Sequence, residues 1–339
     1  THGILIKSAE ALEIAHTVNT VVLDKTGTIT EGKPQVTDIV PADGVDPQIL
    51  LQLAASIEKP SEHPLADAII SRAEQDGLAL LPTDEFEAVP GRGIGAEIEG
   101  RLLLAGNPAF MKEQDIEIST LQDLGDAFSA DGKTPLYFAD SGRALGVIAV
   151  ADVIKPTSRD AIRQFKKLGI DVVMLTGDNQ RTAEAIRRQL EIDRVVAEVM
   201  PQDKEAEIRR IQESGQKVAM IGDGINDAPA LARADVGIAI GAGTDIAIES
   251  ADIVLMRSDL QDAVTAVELS KAVIRNIKQN LFWAFAYNIA GIPLAAGVFY
   301  SLLKWRLSPM FAAAAMSLSS VSVVTNALRL RRFKPSNST

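Results

Sequence analysis

Asp24-Lys25-Thr26-Gly27-Thr28-Ile29-Thr30 follows the β-branched run Thr20-Val21-Val22-Leu23, and so places a carboxylate at the end of a buried strand. The residue types suit a covalent aspartyl-phosphate. Asp24 is the candidate nucleophile, Lys25 neutralises charge, and the glycine and hydroxyls let the loop close on a phosphoryl group. A strand-end aspartate alone proves little, so the reading rests on what surrounds it.

Outward from this loop, beyond Asp152, the chain alternates helix and strand. Helices are predicted at 159–168, 181–190 and 205–212, and strands at 171–175 and 217–221. Such alternation implies βαβ units and a parallel sheet, whose ligands sit beyond the carboxyl ends of the strands. Asp24, Thr176-Gly177-Asp178 and Gly222-Asp223-Gly224 all fall at predicted strand ends, so one site is built from three distant segments. Phosphoryl transfer needs a nucleophile, magnesium held by hard oxygens, and donors around the equatorial oxygens. Asp24 would attack the γ-phosphate. Asp24, Asp223 and the Thr26 backbone carbonyl would hold magnesium, and Thr176, Gly177 and Lys204 would donate to the phosphoryl oxygens. Asn226 and Asp227 complete the loop that begins at Gly222.

The Asp24 heptad resembles the phosphorylation loop of the P-type ATPases. That resemblance implies a haloacid-dehalogenase-like Rossmannoid phosphorylation domain, with Asp24, Lys25, Thr26, Thr176, Gly177, Asp178, Lys204, Asn226 and Asp227 in its catalytic machinery. Phosphatases of the haloacid-dehalogenase-like type place a second aspartate two residues after the nucleophile as general acid, whereas position 26 is threonine. The phosphoenzyme should therefore persist until an outside carboxylate activates water. In P-type ATPases that carboxylate belongs to a Thr-Gly-Glu loop on an actuator domain, and no Thr-Gly-Glu occurs in this chain.

From about 34 to 146 the pattern changes to short helices and strands joined by Pro/Gly turns, which reads as an inserted α+β domain. Glu58, Ser61-Glu62-His63-Pro64-Leu65, Gly91-Arg92-Gly93-Ile94-Gly95 and Gly106-Asn107 together suggest an adenine pocket without a Walker loop. Each is weak alone: a histidine before proline is more often a cap or a packing residue, and a glycine triplet is usually a turn. Gly-x-Gly-x-Gly also lacks dinucleotide-fingerprint spacing, which sets Rossmann cofactors aside. As a set, these residues are similar to the nucleotide domain of heavy-metal-transporting P-type ATPases. The similarity implies ATP contacts from Glu58, His63, Gly91, Gly93 and Asn107.

The composition is 47% hydrophobic, high enough that part of the chain is expected to leave water. Two stretches without a charge, 281–303 and 307–328, are each long enough to span a bilayer. The cationic flanks Lys271, Arg275, Lys278 and Arg329, Arg331, Arg332, Lys334 favour cytoplasmic ends. Tyr287, Asn288, Met316 and Ser320 are polar or soft residues inside these spans. Packing explains them as readily as metal ligation, although a thioether suits Cu(I). Tyr-Asn in one span and Met-x-x-Ser-Ser followed by Val-Val-Thr-Asn-Ala-Leu-Arg-Leu in the next resemble the final two helices of Cu(I)-exporting P-type ATPases. That resemblance puts Tyr287, Asn288, Met316 and Ser320 on a copper path. The family's Cys-Pro-Cys pair is absent, and the chain has no cysteine at all.

A net charge of −11 without a basic cluster interleaved with aromatics excludes a nucleic-acid partner. The expected architecture is α/β. Residues 1–18 are read as a stalk helix, 19–35 and 149–270 as the two segments of the phosphorylation domain, and 36–148 as the nucleotide-binding domain. Two transmembrane helices at 275–330 and a cytoplasmic tail at 331–339 follow. Since the chain begins at Thr1-His2-Gly3 with no signal peptide, it reads as the C-terminal half of a longer pump. Its expected partners are ATP, Mg2+, copper, membrane lipid and the missing N-terminal half with its actuator domain and earlier helices, together with a copper chaperone. The expected location is a bacterial inner membrane. Three rival readings stand beside this one: a soluble-type phosphatase of the same fold, a membrane-anchored nucleotide or copper sensor derived from a pump, and a pump for Ag(I), Cu(II) or Zn(II).

Overall fold

The computed structural model describes residues 3–61, 63–89, 91–223, 227–241, 245–296 and 309–335, and all that follows concerns these. Two sheets carry the architecture. The first has seven strands in the order β1-β13-β12-β11-β2-β9-β10. Its members are β1 (Ile4–Ile6), β2 (Thr20–Asp24), β9 (Asp171–Leu175), β10 (Arg194–Val196), β11 (Val218–Gly222), β12 (Val236–Ile240) and β13 (Ile253–Leu255). All neighbours are parallel except the edge pair of β1 and β13. Every residue of β2 is buried, because both sheet faces are covered. Val21 and Leu23 point into one core with Phe165, Ile186 and Val264, while Val22 points into the other with Ile208, Ile211 and Leu231. Helices α6 (Ser158–Lys167), α7 (Gln180–Leu190) and α8 (Lys204–Glu213) connect the strands, matching the alternation expected from sequence.

The segment expected as a stalk contains the edge strand β1 and a short helix α1 (Ala9–Ala15), N-capped by Ser8, whose hydroxyl accepts from the Ala11 N–H. Ala15, Ile4 and Ile6 join the core of the seven-stranded sheet.

The second sheet is antiparallel and six-stranded, in the order β3-β8-β7-β6-β5-β4. Its strands are β3 (Thr30–Pro41), β4 (Asp84–Val89), β5 (Gly93–Ile98), β6 (Arg101–Gly106), β7 (Thr134–Asp140) and β8 (Arg143–Ile154). Helices α2 (Pro47–Glu58) and α3 (Pro64–Gln75) cover one face, and α4 (Pro108–Glu113) and α5 (Ser119–Ala130) contribute to the core on the other. The chain leaves the first sheet through β3 and returns through β8, and these two strands pair along their length from Thr30 opposite Ile154 to Pro41 opposite Gly146.

After the short helices α9 (Ala228–Arg233) and α10 (Asp245–Ser250) comes α11 (Leu260–Ala295), 36 residues long, and a last helix α12 (Pro309–Leu328). The first turns of α11 are core: Leu260, Ala263, Val264 and Val267 are buried. Its second half exposes Leu281, Phe282, Trp283, Phe285, Ile289 and Ile292, and α12 exposes Val321, Val324 and Leu328. Among the described residues no helix is long and apolar enough to cross a membrane, and the joint between the two expected spans lies outside them. A polar clamp ties the pair together: Asn276 donates to the Asn326 carbonyl, Asn326 to Asn280 Oδ1, and Asn280 to Asn276 Oδ1.

Candidate functional site

Strand β2 lies between β9 and β11, so the carboxyl ends of three adjacent parallel strands deliver Asp24, Thr176 and Asp223 to one edge of the sheet. Asp24 stands opposite Leu175 in register, one residue before Thr176. The Lys204 ammonium, at the start of α8, donates to Asp24 Oδ1 and Asp227 Oδ1, each at 2.6 Å. All three side chains are nearly inaccessible. Lys25 is spoken for elsewhere, forming a 2.8 Å ion pair with Asp178. Thr176 is buried and its Oγ1 accepts from the Asp178 N–H, which leaves its hydroxyl proton available to a ligand. Gly27 has φ of +73°, a backbone that L side chains resist, and a Cβ there would sit against Asp223. Asn226 lies outside the described residues.

Charge in this pocket is unbalanced. Burial, with Asp227 beside it, pushes the Asp24 carboxyl up to about 7 despite Lys204, and Asp223 adds to the rise. Burial likewise raises Asp227. Burial opposes the Lys204 ammonium, but Asp24 and Asp227 hold it above its usual range. Together these directions describe one firmly charged ammonium serving more carboxylates than it can neutralise. Asp227 Oδ2 and Thr28 Oγ1 are, in addition, buried without a hydrogen-bond partner among the described residues. Surplus carboxylate oxygen beside an orphaned buried acceptor fits a hard divalent cation. No group of three or more His, Cys, Asp or Glu side chains among the described residues forms a ready-made metal cage. Magnesium takes one or two carboxylates and completes its shell with carbonyl, water and phosphate oxygens.

The loop is also held from behind by residues that the sequence did not reveal. Lys155, buried, donates to the Gly27 carbonyl at 2.6 Å and to Ser258 Oγ at 2.8 Å. Ser158 donates to the Ile29 carbonyl. Asp152 accepts from the Thr30 hydroxyl and the Gly32 N–H, closing the base of the β3/β8 ribbon on the loop. Lys155 and Ser158 stand in no motif, and Pro156 between them marks only a break after a strand.

Glu58, His63, Gly91, Gly93 and Asn107 line one cavity of about 560 Å³, within the range of small-ligand sites. Leu65, Ile94, Ala105 and Leu136 give it an apolar wall. Burial pushes the Glu58 carboxyl up to about 7, although Ser61 hydrogen-bonds to it. Two of the residues work for the protein itself as well. His63 N-caps α3, its Nδ1 accepting from the Leu65 N–H, which fixes the proton on Nε2 as a donor. Asn107 N-caps α4 through Phe110 N and donates to the Gly91 carbonyl. Gly93 faces Gly106 across β5 and β6, and a Cβ at Gly93 would run into the Ala105 carbonyl and Phe110, so strand packing alone already demands glycine there.

Of the expected copper path, only Asn288 and Ser320 have side chains among the described residues. The Asn288 amide donates to the Ala284 carbonyl of its own helix, and Ser320 is exposed on α12. The side chains of Tyr287 and Met316 lie outside the described residues.

Residues 18–235 match a family model of haloacid dehalogenase-like hydrolases. The chain is 54% identical over 335 residues to the probable copper-transporting ATPase PacS of Synechococcus elongatus, covering 98% of this chain and 45% of that protein. It is 50% identical to a copper-exporting P-type ATPase of Bacillus subtilis, covering 98% of this chain and 40% of the other. The chain thus spans less than half the length of these curated relatives. Among solved structures it resembles a zinc-transporting PIB-type ATPase in the E2.Pi state, with a TM-score of 0.84 and 36% identity over 97% of this chain and 52% of that one.

Proposed function

The chain belongs to the haloacid dehalogenase-like hydrolase family, in its P-type ATPase branch, and from that premise we propose that it is the catalytic part of an ATP-driven copper(I) pump working through a phosphorylated Asp24. The observation that carries this reading is the buried Asp24–Lys204–Asp227 cluster at the ends of adjacent parallel strands, with threonine at position 26.

The adenine enters the 560 Å³ cavity, where Nε2 of His63 donates to the base or its ring lies against it, with Leu65, Ile94 and Leu136 as apolar neighbours. Movement about the β3/β8 ribbon brings the γ-phosphate to Asp24. Ionised Asp24 attacks phosphorus, the P–O bond to ADP breaks, and an acyl phosphate forms. Lys204, the Thr176 hydroxyl and the Gly177 N–H meet the transferred oxygens. Once Asp24 is esterified, Lys204 keeps Asp227 as its partner. Magnesium, which Asp24, Asp223 and the Thr26 carbonyl would hold, offsets phosphate charge when bound. Hydrolysis awaits a carboxylate from an actuator domain. Copper is the proposed cargo, since the curated relatives are named for copper at 50–54% identity whereas the zinc pump is 36% identical. The exposed apolar halves of α11 and α12 are proposed to lie in a bilayer, placing the catalytic units on the cytoplasmic side of a bacterial inner membrane.

The test is acid-quenched labelling. With γ-labelled ATP and magnesium, the chain should retain acid-stable, hydroxylamine-sensitive label. ATP binding without any label under every metal condition would favour the sensor reading, and brisk p-nitrophenyl phosphate turnover indifferent to ATP would favour a phosphatase.

A second expectation arises at Glu58. A pocket that prefers the neutral carboxyl suits adenine, whose amino group and neighbouring ring nitrogen pair with a protonated acid through two hydrogen bonds. Adenosine affinity, read by calorimetry, should rise as pH falls from 8 to 6. Glu58→Gln, neutral throughout, should bind with little pH dependence, and Glu58→Ala should lose about tenfold. Weaker binding at low pH would show that the ionised form is the one used.

A further inference from the structure

On α11, Lys271, Arg275, Lys278 and Phe282 are spaced i, i+4, i+7 and i+11, so they share one helical face. With His16, which follows α1, and with Ile274, Gln279 and Trp283, they line a cavity of about 500 Å³ that shares no lining residue with the proposed adenine cavity or the Asp24 cluster. Lys271 donates to the Leu168 carbonyl at 3.3 Å. Among the described residues, Arg275 and Lys278 form no ion pair and make no hydrogen bond. The acids nearest in sequence are Glu268, whose charge acts on Lys271, and Glu13, whose carbonyl accepts from His16 Nδ1. At the other end of the cavity, Phe282 and Trp283 are 65% and 52% exposed, with their rings edge to face at 5.5 Å. Beyond them Phe285, Ile289 and Ile292 are exposed in turn.

The order along the helix is therefore cation, aromatic, aliphatic. Water-soluble anions have no use for the exposed aromatics, and an apolar partner has no use for three cations. One ligand class carries negative phosphate directly above acyl chains. We infer that the groove between the end of α1 and the middle of α11 is a binding site for the headgroup of an anionic phospholipid, with Arg275 and Lys278 on the phosphate and Phe282 and Trp283 at the glycerol level. Interfacial aromatics and basic residues at such a boundary have this preference generally. The inference rests on α11 entering a bilayer, and its test separates the two.

Replacing Trp305 by phenylalanine leaves Trp283 as the sole tryptophan of the chain. The full chain in phosphatidylcholine bilayers is titrated with phosphatidylglycerol brominated on its acyl chains and, in parallel, with brominated phosphatidylcholine. Both should quench Trp283, with phosphatidylglycerol favoured by about fivefold or more, since each cation near a membrane surface contributes on the order of a fivefold preference for anionic lipid. Arg275→Gln with Lys278→Gln should bring the ratio close to one, and Arg275→Lys with Lys278→Arg should keep it. Unchanged adenosine binding in all variants shows that they are folded. Equal quenching by the two lipids, or a preference that survives the glutamine pair, overturns the headgroup site while leaving α11 in the bilayer. Quenching by neither lipid removes the bilayer reading and the site with it.

Discussion

Asp24→Asn will abolish acid-stable label from γ-labelled ATP while making the chain more stable to unfolding above neutral pH. The first half follows from chemistry, because an amide offers no anionic oxygen to phosphorus. The second half follows from the pocket. A carboxyl raised from 3.8 to about 7 binds its proton more tightly in the folded state than in the unfolded one. Its contribution to stability is therefore fully present below about pH 4 and is lost as pH rises toward 7. Asparagine mimics the protonated acid and never incurs that loss, and Lys204 retains Asp227 at 2.6 Å. In chelator, denaturant unfolding should show the variant ahead by on the order of 1–3 kcal/mol at pH 8, with no difference at pH 4. Loss of label together with gain of stability distinguishes a missing nucleophile from a damaged fold. A variant that keeps its label would show that Asp24 is not the phosphorylated residue, and one destabilised at pH 8 would mean that Lys204 outweighs burial at this site.

The parallel sheet was legible because strands buried on both faces leave unbroken apolar runs. Thr20-Val21-Val22-Leu23 and Asp171-Val172-Val173-Met174-Leu175 announce themselves, and so do the polar residues where each run stops. Asp24 and Thr176 could be named for the same reason, whereas Lys204 opens a helix and follows no apolar run. What the sequence hid is whatever depends on pairing over a long separation. Thr30 meets Asp152 and Gly27 meets Lys155 only because β3 and β8 pair across the whole inserted sheet, and no local pattern records that. Edge strand β1 is too short to show period two, and it exists through its partners in β13. The five residues proposed for the nucleotide do line one cavity, but several of them have structural reasons to be there as well. His63 and Asn107 also cap helices, and Gly93 is required by Phe110 and the Ala105 carbonyl irrespective of any nucleotide. Asn288 points back to its own helix, which gives it an ordinary structural reason to be there.

Thr26→Asp is expected to turn a persistent phosphoenzyme into a fast-decaying one. Phosphatases of the haloacid-dehalogenase-like type carry an acid two residues after the nucleophile, and general acid–base assistance of this kind is worth roughly 10²–10⁴ in rate. Thr26 is exposed at the loop's outer side, so a carboxylate there need not be buried to reach solvent or a water near Asp24. It is also free of the network that fixes the loop, since Lys155 holds the Gly27 carbonyl, Thr30 and Gly32 hold Asp152, and Ser158 holds the Ile29 carbonyl. The substitution therefore adds a base without taking away a support. In a pulse–chase with unlabelled ATP, label on the variant should decay at least tenfold faster than on the wild type, with Thr26→Asn behaving like threonine and steady-state p-nitrophenyl phosphate turnover rising in parallel. Should the two decays coincide while initial labelling is normal, the lifetime of the phosphoenzyme would be set by exclusion of water from the Asp24 pocket. An actuator domain would then have to open that pocket as well as bring a base to it.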